Sequence, residues 1–220
     1  PIRILVGAPP GGSTDTLARE IAPEMGRQLG GRIVIVENKS GAGGNLAADA
    51  VAKAAPDGNT LLVDASSFAV NPSLFPRLPY DSQKDFTPLG VIATFPSVMV
   101  CTPGFEAKSV RDVVSLAKAS PGRLAYASSG NGSAQHLAGA LFEDRAKVQL
   151  VHVPYRGGGP AMNDVMAGQV PLFFANIASS LGHIQGGKLR ALGTAAKRRA
   201  RALPDLPTLE EAGVPGYEVL

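Results

Sequence analysis

A two-lobed α/β fold is predicted for this chain of 220 residues, and three observations predict it. Apolar strand patterns alternate with helical patterns along most of the sequence, as parallel sheets with helices on their faces require. Two stretches, residues 2–15 and 124–136, share one layout: a short strand, a Gly/Ser-rich turn and a helix start. Between them the pattern loosens over residues 66–80, and two strand-like runs, 86–93 and 97–102, mark the crossover from one α/β series to the next.

The elements follow in order. Residues 2–6 (Ile-Arg-Ile-Leu-Val) read as a strand. Residues 14–29 read as a helix whose Leu17, Ile21 and Met25 share one face, with Ser13 or Thr14 as its cap. Residues 32–36 form the next strand. Gly41-Ala42-Gly43-Gly44 opens a second helix that runs to about residue 54, Asp57-Gly58 is a turn, and residues 60–64 form a third strand. The second series reads helix 109–119, strand 124–127, helix 133–145, strand 150–153, helix 159–167, strand 170–174, helix 177–185 and strand 189–194. These series define lobe 1, residues 1–100, and lobe 2, residues 101–220, whose last residues head back towards lobe 1. Each lobe is expected to be a mostly parallel sheet flanked by helices.

Composition narrows the functional classes. Apolar residues make up 45% and charged residues 18%, with a net charge of +3, as in ordinary globular chains. The cations are scattered except at Lys197-Arg198-Arg199-Ala200-Arg201, which reads as a solvated loop. With aromatics at 5% and no Trp, the chain lacks the stacking platform of single-strand binders, and no nucleic-acid partner is expected. Cys101 is the single cysteine, so an internal disulfide and a cysteine metal site are both excluded. It reads as an inert buried thiol. His136, His152 and His183 are too far apart in sequence to suggest a metal cluster, and no cofactor is expected. No apolar run is long enough to span a bilayer, since Pro88 and Pro96 interrupt the best candidate. The chain opens almost directly on a strand, as a mature protein does once its signal peptide is removed.

Open α/β sheets bind ligands at the C-terminal ends of their strands. The loops 9–15, 64–68, 128–133, 154–159 and 175–179 all take such positions. A helix start carries unpaired N–H groups and partial positive charge, and glycines let an anion approach closely. Pro10, Gly11, Gly12 and Ser13 are therefore candidate contacts on one wall, and Ser129, Gly130, Asn131, Gly132 and Ser133 on the other. Neither loop has the lysine of a P-loop. Asp15 reads equally as an acceptor for a ligand hydroxyl or ammonium and as a first-turn acid favoured by the helix dipole. Ser66 and Phe68, and Tyr155 with Gly157, follow strands at the same edge; Phe68 and Tyr155 read as apolar walls or as core. His136 lies one turn into its helix, and Asn176 follows the buried run Leu172-Phe173-Phe174.

These segments also carry a resemblance. Pro9-Pro10-Gly11-Gly12-Ser13-Thr14-Asp15 with Ala18-Arg19, Val36-Glu37-Asn38-Lys39, Gly41-Ala42-Gly43-Gly44, Pro56-Asp57-Gly58 and Leu78-Pro79-Tyr80-Asp81 with Asp85-Phe86 appear in order. Ser129-Gly130-Asn131-Gly132-Ser133 with His136-Leu137, Val153-Pro154-Tyr155-Arg156-Gly157, and Pro207-Thr208 with Glu211-Ala212-Gly213 follow. Together they make the chain resemble the extracytoplasmic solute receptors of tripartite tricarboxylate transport systems, the Bug family. The resemblance implies a type II periplasmic-binding-protein fold with a ligand cleft between lobes. It also implies a small carboxylate held largely by backbone amides, a membrane permease that receives it, and a periplasmic, monomeric protein without catalysis. Members continue past the Pro-Gly-Tyr segment with a stretch that returns to the first lobe. This sequence stops just after Gly216-Tyr217, so lobe 1 is expected to lack that return segment.

Two other functions fit parts of the pattern. A ligand sensor that signals to a protein partner would use the same site. An NAD(P)-dependent enzyme would use Glu37 as its ribose acid, yet the first turn reads Gly7-Ala8-Pro9-Pro10-Gly11-Gly12 and lacks the G-x-G-x-x-G spacing. No G-x-S-x-G elbow points to a hydrolase. With no Lys or Arg fixed in the expected cleft, highly charged ligands such as citrate are disfavoured, unless Arg156 turns into it.

Overall fold

In the computed structural model, which describes residues 1–219, β1 (Ile2–Val6) is the central strand of the first sheet, with Ile2, Ile4, Leu5 and Val6 buried. β2 (Val34–Asn38) and β3 (Thr60–Val63) pair with it in parallel on either side, in the order β2-β1-β3. Ile4 lies opposite Val36 on one side and Leu61 on the other. α1 (Ser13–Gln28) joins β1 to β2 and packs the small side chains of Ala18 and Ala22 over Ile4, Val6 and Val63.

The expected helix over residues 41–54 is shorter than its pattern. Ala42–Gly44 form a 3-10 turn and α2 begins only at Asn45, running to Ala52. Gly44 has φ of 93°, and a Cβ there would meet Asp64 Oδ2 at 2.5 Å. Glycine is thus required twice, for the left-handed backbone and for the close approach of the β3 end.

Residues 66–80, expected to be loop, contain α3 (Ser67–Leu74). Buried polar contacts hold it where periodicity gave no signal. Asn71 donates to Gly43 O at 2.9 Å and to Asn45 Oδ1 at 2.7 Å, and Tyr80 donates to the same Oδ1 at 2.5 Å. Residues 86–93, expected to be a strand, pair with nothing among the described residues. Pro88 has no N–H to offer a ladder, Gly90 weakens extension, and Leu89 and Val91 are 80% and 82% exposed.

The chain divides into two units between Ile92 and Ala93, ahead of the boundary drawn at residue 100. β4 (Ser97–Cys101) lies inside the second sheet, whose order is β6-β5-β7-β4-β8. Its other strands are β5 (Ala125–Ser128), β6 (Val151–Pro154), β7 (Leu172–Asn176) and β8 (Arg190–Thr194). β5 runs parallel to β6 and β7, while β4 runs antiparallel to β7 and β8 with an irregularity between Met99 and Val100.

Helices cover both faces of this sheet, so its strands alternate between two cores. Met99 and Cys101 of β4 and Leu172 and Phe174 of β7 pack with Phe142, Tyr126 and Tyr217. Val98, Val100, Phe173 and Ala175 point the other way, towards Met162 and Val165. The helices are α4 (Val110–Ala119), α5 (Ala134–Ala146), α6 (Gly158–Met166) and α7 (Ile177–Gln185). α4 opens with a reciprocal capping box between Ser109 and Asp112. Cys101 is fully buried, and burial raises its thiol pKa against the opposing pull of Arg190. Among the described residues, no helix is long and apolar enough to cross a membrane.

Candidate functional site

In the second unit, β5, β6 and β7 run in one direction side by side, so the starts of α5, α6 and α7 share one edge of the sheet. Hydrogen bonds tie the first two loops together. Tyr155 N–H donates to Ser128 O at 3.0 Å, and Gly157 N–H to Ser129 O at 3.2 Å. Ser129, Gly130, Asn131, Gly132, Ser133, Tyr155 and Gly157 are therefore brought together in one cluster. Asn176 ends β7 and caps α7. Its carbonyl accepts from the hydroxyls of Ser179 and Ser180.

Within the cluster, many side chains brace the loop. Ser133 Oγ accepts from His136 N–H at 3.2 Å as the α5 cap and donates to Gly130 O at 2.7 Å. Ser129 Oγ donates to Gln135 Oε1 at 2.7 Å. Gly132 N–H donates to His136 Nδ1 at 3.1 Å. Among the described residues, the N–H groups of Ala134 and Gln135 in the first turn of α5 have no hydrogen-bond acceptor, since they precede any helical one. α6 likewise begins at Gly157 with no side-chain cap. This edge offers an anion backbone N–H groups and the positive end of helix dipoles.

Tyr155 has a polar attachment that its sequence position did not show. Its hydroxyl donates to Asp164 Oδ2 at 2.7 Å, and burial together with this carboxylate pushes its pKa up to about 12. Its ring packs beside the Met162 and Val165 core. Arg156, between Tyr155 and Gly157, is exposed.

In the first unit, Pro10, Gly11, Gly12, Ser13 and Asp15 lie at the C-terminal end of β1, and Ser66 and Phe68 follow the neighbouring strand β3. α1 begins at Gly12 with no side-chain cap. Asp15 faces inwards and is 3% exposed. Its carboxylate accepts from Gly11 N–H at 2.9 Å, Arg19 Nε at 3.0 Å and Asn38 Nδ2 at 2.8 Å. Burial pushes its pKa up, but these hydrogen bonds and the Arg19 charge outweigh burial and hold it below the usual range. Gly11 N–H is thereby engaged by Asp15. Among the described residues, Thr14 and Asp15 N–H have no acceptor in the first helical turn.

Phe68 belongs to an aromatic cluster, edge-on to Phe86 at 4.9 Å between ring centres and parallel to Tyr80 at 6.1 Å. Ser66 is exposed at the start of α3. Beside it, Asp64 directly follows β3. Its Oδ1 accepts from Ala65 N–H and Ser67 Oγ, while Oδ2 is buried against Gly44 without a donor. Burial pushes its pKa up to about 6.

Sequence reasoning did not single out Asn38, Ser128, Gln135, His152 or Asp64, although the strand-end loops 128–133 and 64–68 contain Ser128 and Asp64. Ser128, Asn38 and Asp64 each had a signal, a polar residue ending or following an apolar strand. Gln135 and His152 had none, because their roles depend on which loops the fold brings together. Among the described residues, no group of His, Cys, Asp and Glu is placed to hold a metal ion.

The fold and these strand-end loops define a two-unit α/β binding protein. Residues 17–220 match the family of tripartite tricarboxylate transporter receptors, and the chain belongs to that family. This is a family of periplasmic solute-binding receptors and not of enzymes. The chain is 39% identical to protein BugT of Bordetella pertussis over 99% of its own length and 67% of BugT. A solved R. palustris protein with adipate is 36% identical, with a TM-score of 0.93 over 99% of this chain and 73% of that one. MatC from Rhodopseudomonas palustris, solved with malate, is 35% identical, with a TM-score of 0.88 over 99% and 74%. The chain spans about two thirds of the length of the curated relatives it matches.

Proposed function

We propose that this protein captures a small dicarboxylate in the periplasm and delivers it to a tripartite tricarboxylate-type membrane permease. The observation that carries the reading is the pair of helix starts, α1 and α5, each with open first-turn N–H groups at a parallel-strand end. Such groups hold a carboxylate through oriented dipoles without a full positive charge. Arg19, the basic side chain nearest the first loop in sequence, is bound to Asp15. The ligands of the two solved relatives, adipate and malate, support the substrate class. In this reading Gly12 and Ser13 in the first unit, and Asn131, Ser133, Tyr155 and Asn176 in the second, are each candidate contacts for a carboxylate, and backbone amides supply most of its hydrogen bonds.

Thermal-shift and calorimetric titration with malate, adipate, citrate, acetate, acidic amino acids and NAD(P) tests this. A ligand at 100 times its Kd adds about 2.7 kcal/mol, or roughly 5–10 °C in a chain of this size. Malate or adipate is expected to bind and NAD(P) is not. A Gly12→Asp variant is expected to lose dicarboxylate affinity by about a hundredfold or more, because like charges placed together cost several kcal/mol. Undiminished binding in that variant excludes the α1 start from the site.

A further inference from the structure

Three rings stack beneath the 129–133 loop. Tyr126 of β5 lies on His152 of β6 with ring centres 5.1 Å apart. His152 in turn lies on His136 of α5 at 4.0 Å, with the two imidazoles 14° from parallel. Both histidines reach the loop backbone. His136 Nδ1 accepts the N–H of Gly132 at 3.1 Å. His152 Nε2 is 2.5 Å from Ser128 Oγ, and that oxygen accepts the N–H of Gly130 at 3.1 Å. The two glycines with positive φ in this loop, Gly130 at 131° and Gly132 at 76°, are thus each held by an imidazole, Gly132 directly and Gly130 through Ser128.

This arrangement requires a neutral His136 and disfavours two charged rings; at His152, Nε2 can donate to or accept from Ser128 Oγ, whose hydroxyl also reaches Gly130 O at 3.2 Å. An acceptor Nδ1 has no proton to spare for the Gly132 contact, and a protonated His136 would present N–H against N–H. Two imidazolium rings face to face at this distance would also repel. We infer that His136 and His152 act as a neutral stacked pair that positions the 129–133 loop, and that proton uptake by the pair loosens the loop and weakens carboxylate capture. The capture half of this inference rests on the proposed function; the loop half does not.

The surroundings agree. Burial lowers the pKa of His136, with Glu143 of the same helix pulling the other way. Burial, then His136, lowers His152 to about 4. From β5 the facing group is Tyr126, whose phenol burial keeps neutral. Because both histidine pKa values lie below the unfolded value, the neutral pair's contribution is complete above about pH 6.5 and is lost as pH falls through the folded values.

The test separates the acceptor from the proton. His136→Asn places an amide oxygen near Nδ1 without a titrating group, whereas His136→Phe keeps the stack and removes the acceptor. The Gly132 amide is followed by NMR hydrogen exchange, corrected for the intrinsic pH dependence, between about pH 7.5 and 4.5, with the histidine ring nitrogens titrated in parallel. Wild-type protection is expected to fall about three- to tenfold, the weight of one net hydrogen bond, in step with His136 protonation. The Asn variant is expected to hold its protection across the range, and the Phe variant to lack it throughout. Equal protection in the Asn and Phe variants, or wild-type protection indifferent to His136 titration, overturns the inference. For capture, the ratio of malate affinities, Asn variant over wild type, is expected to rise about three- to tenfold from pH 7.5 to 5; a flat ratio overturns that half. The exchange readout needs no ligand, so failure of malate and adipate to bind at neutral pH would count against the proposed function alone.

Discussion

At the start of α1 a buried carboxylate braces the loop, while at the start of α5 hydroxyl, amide and imidazole groups brace it. Asp15 gathers Gly11 N–H, Arg19 and Asn38 around one negative charge. Ser128, Ser129, Ser133, Gln135, His136 and His152 do the same work with no net charge. Both loops keep first-turn N–H groups open. The first, however, sets a full negative charge near the positive end of its own helix and needs Arg19 to offset it. The second avoids that conflict and becomes sensitive instead to protons at its histidines.

The comparison breaks most severely at Asp15. Asp15→Ala leaves Arg19, Asn38 and Gly11 N–H without their shared acceptor, and is expected to cost about 3 kcal/mol in urea unfolding. The wild-type contribution is present above the ordinary aspartate pKa and is lost as pH falls through the lowered folded value. The difference between wild type and variant should therefore shrink in acid. A difference that persists unchanged at low pH would show that Asp15 acts by packing alone.

Asp64 sharpens the same point with the opposite sign. It is also an acid at a strand end of the first unit, but its Oδ2 has no donor. Its pKa of about 6 lies above the unfolded value, so its ionisation costs stability as pH rises from about 4 to 6 and above. Asp64→Asn keeps the oxygen that accepts from Ala65 and Ser67 and removes the charge. It is expected to raise stability at neutral pH by about 2 kcal/mol and to converge on wild type near pH 4. Equal stability at all pH values would mean that Asp64 ionises without penalty.

Much of this was legible in the sequence. The strand–turn–helix layouts at residues 2–15 and 124–136 gave both loops and their helices, because apolar periodicity and glycine placement are local signals. The failures occur where long-range contacts override local pattern. Residues 86–93 look like a strand but find no partner, and residues 67–74 look like loop but are fixed as α3 by Asn71 reaching Gly43 and Asn45. The candidate residues suffered the same limit. Ser129 and Ser133 read as ligand contacts from their position, and the fold engages their side chains within the loop, Ser129 with Gln135 and Ser133 with Gly130 O. Sequence marks the edge of a sheet more readily than it marks which polar groups there are already satisfied.

The smallest expected effects test the helix caps themselves. α5 is capped by Ser133, and α1 begins at Gly12 with no side-chain cap. Ser133→Ala should cost about 1 kcal/mol. Gly12→Ser should gain a few tenths, since serine exceeds glycine only slightly as a cap. Gly12 has φ of −73° and ψ of 163°, which serine adopts freely, although its Cβ would press on Pro9 O at 3.3 Å. A serine hydroxyl there would take one of the open N–H groups that the proposed function assigns to the solute. Stability and malate affinity should then move in opposite directions in Gly12→Ser, and together in Ser133→Ala, where the cap shapes the loop. If Gly12→Ser leaves affinity untouched while raising Tm, the α1 start is a helix end like any other, and the solute is held by the α5 side alone.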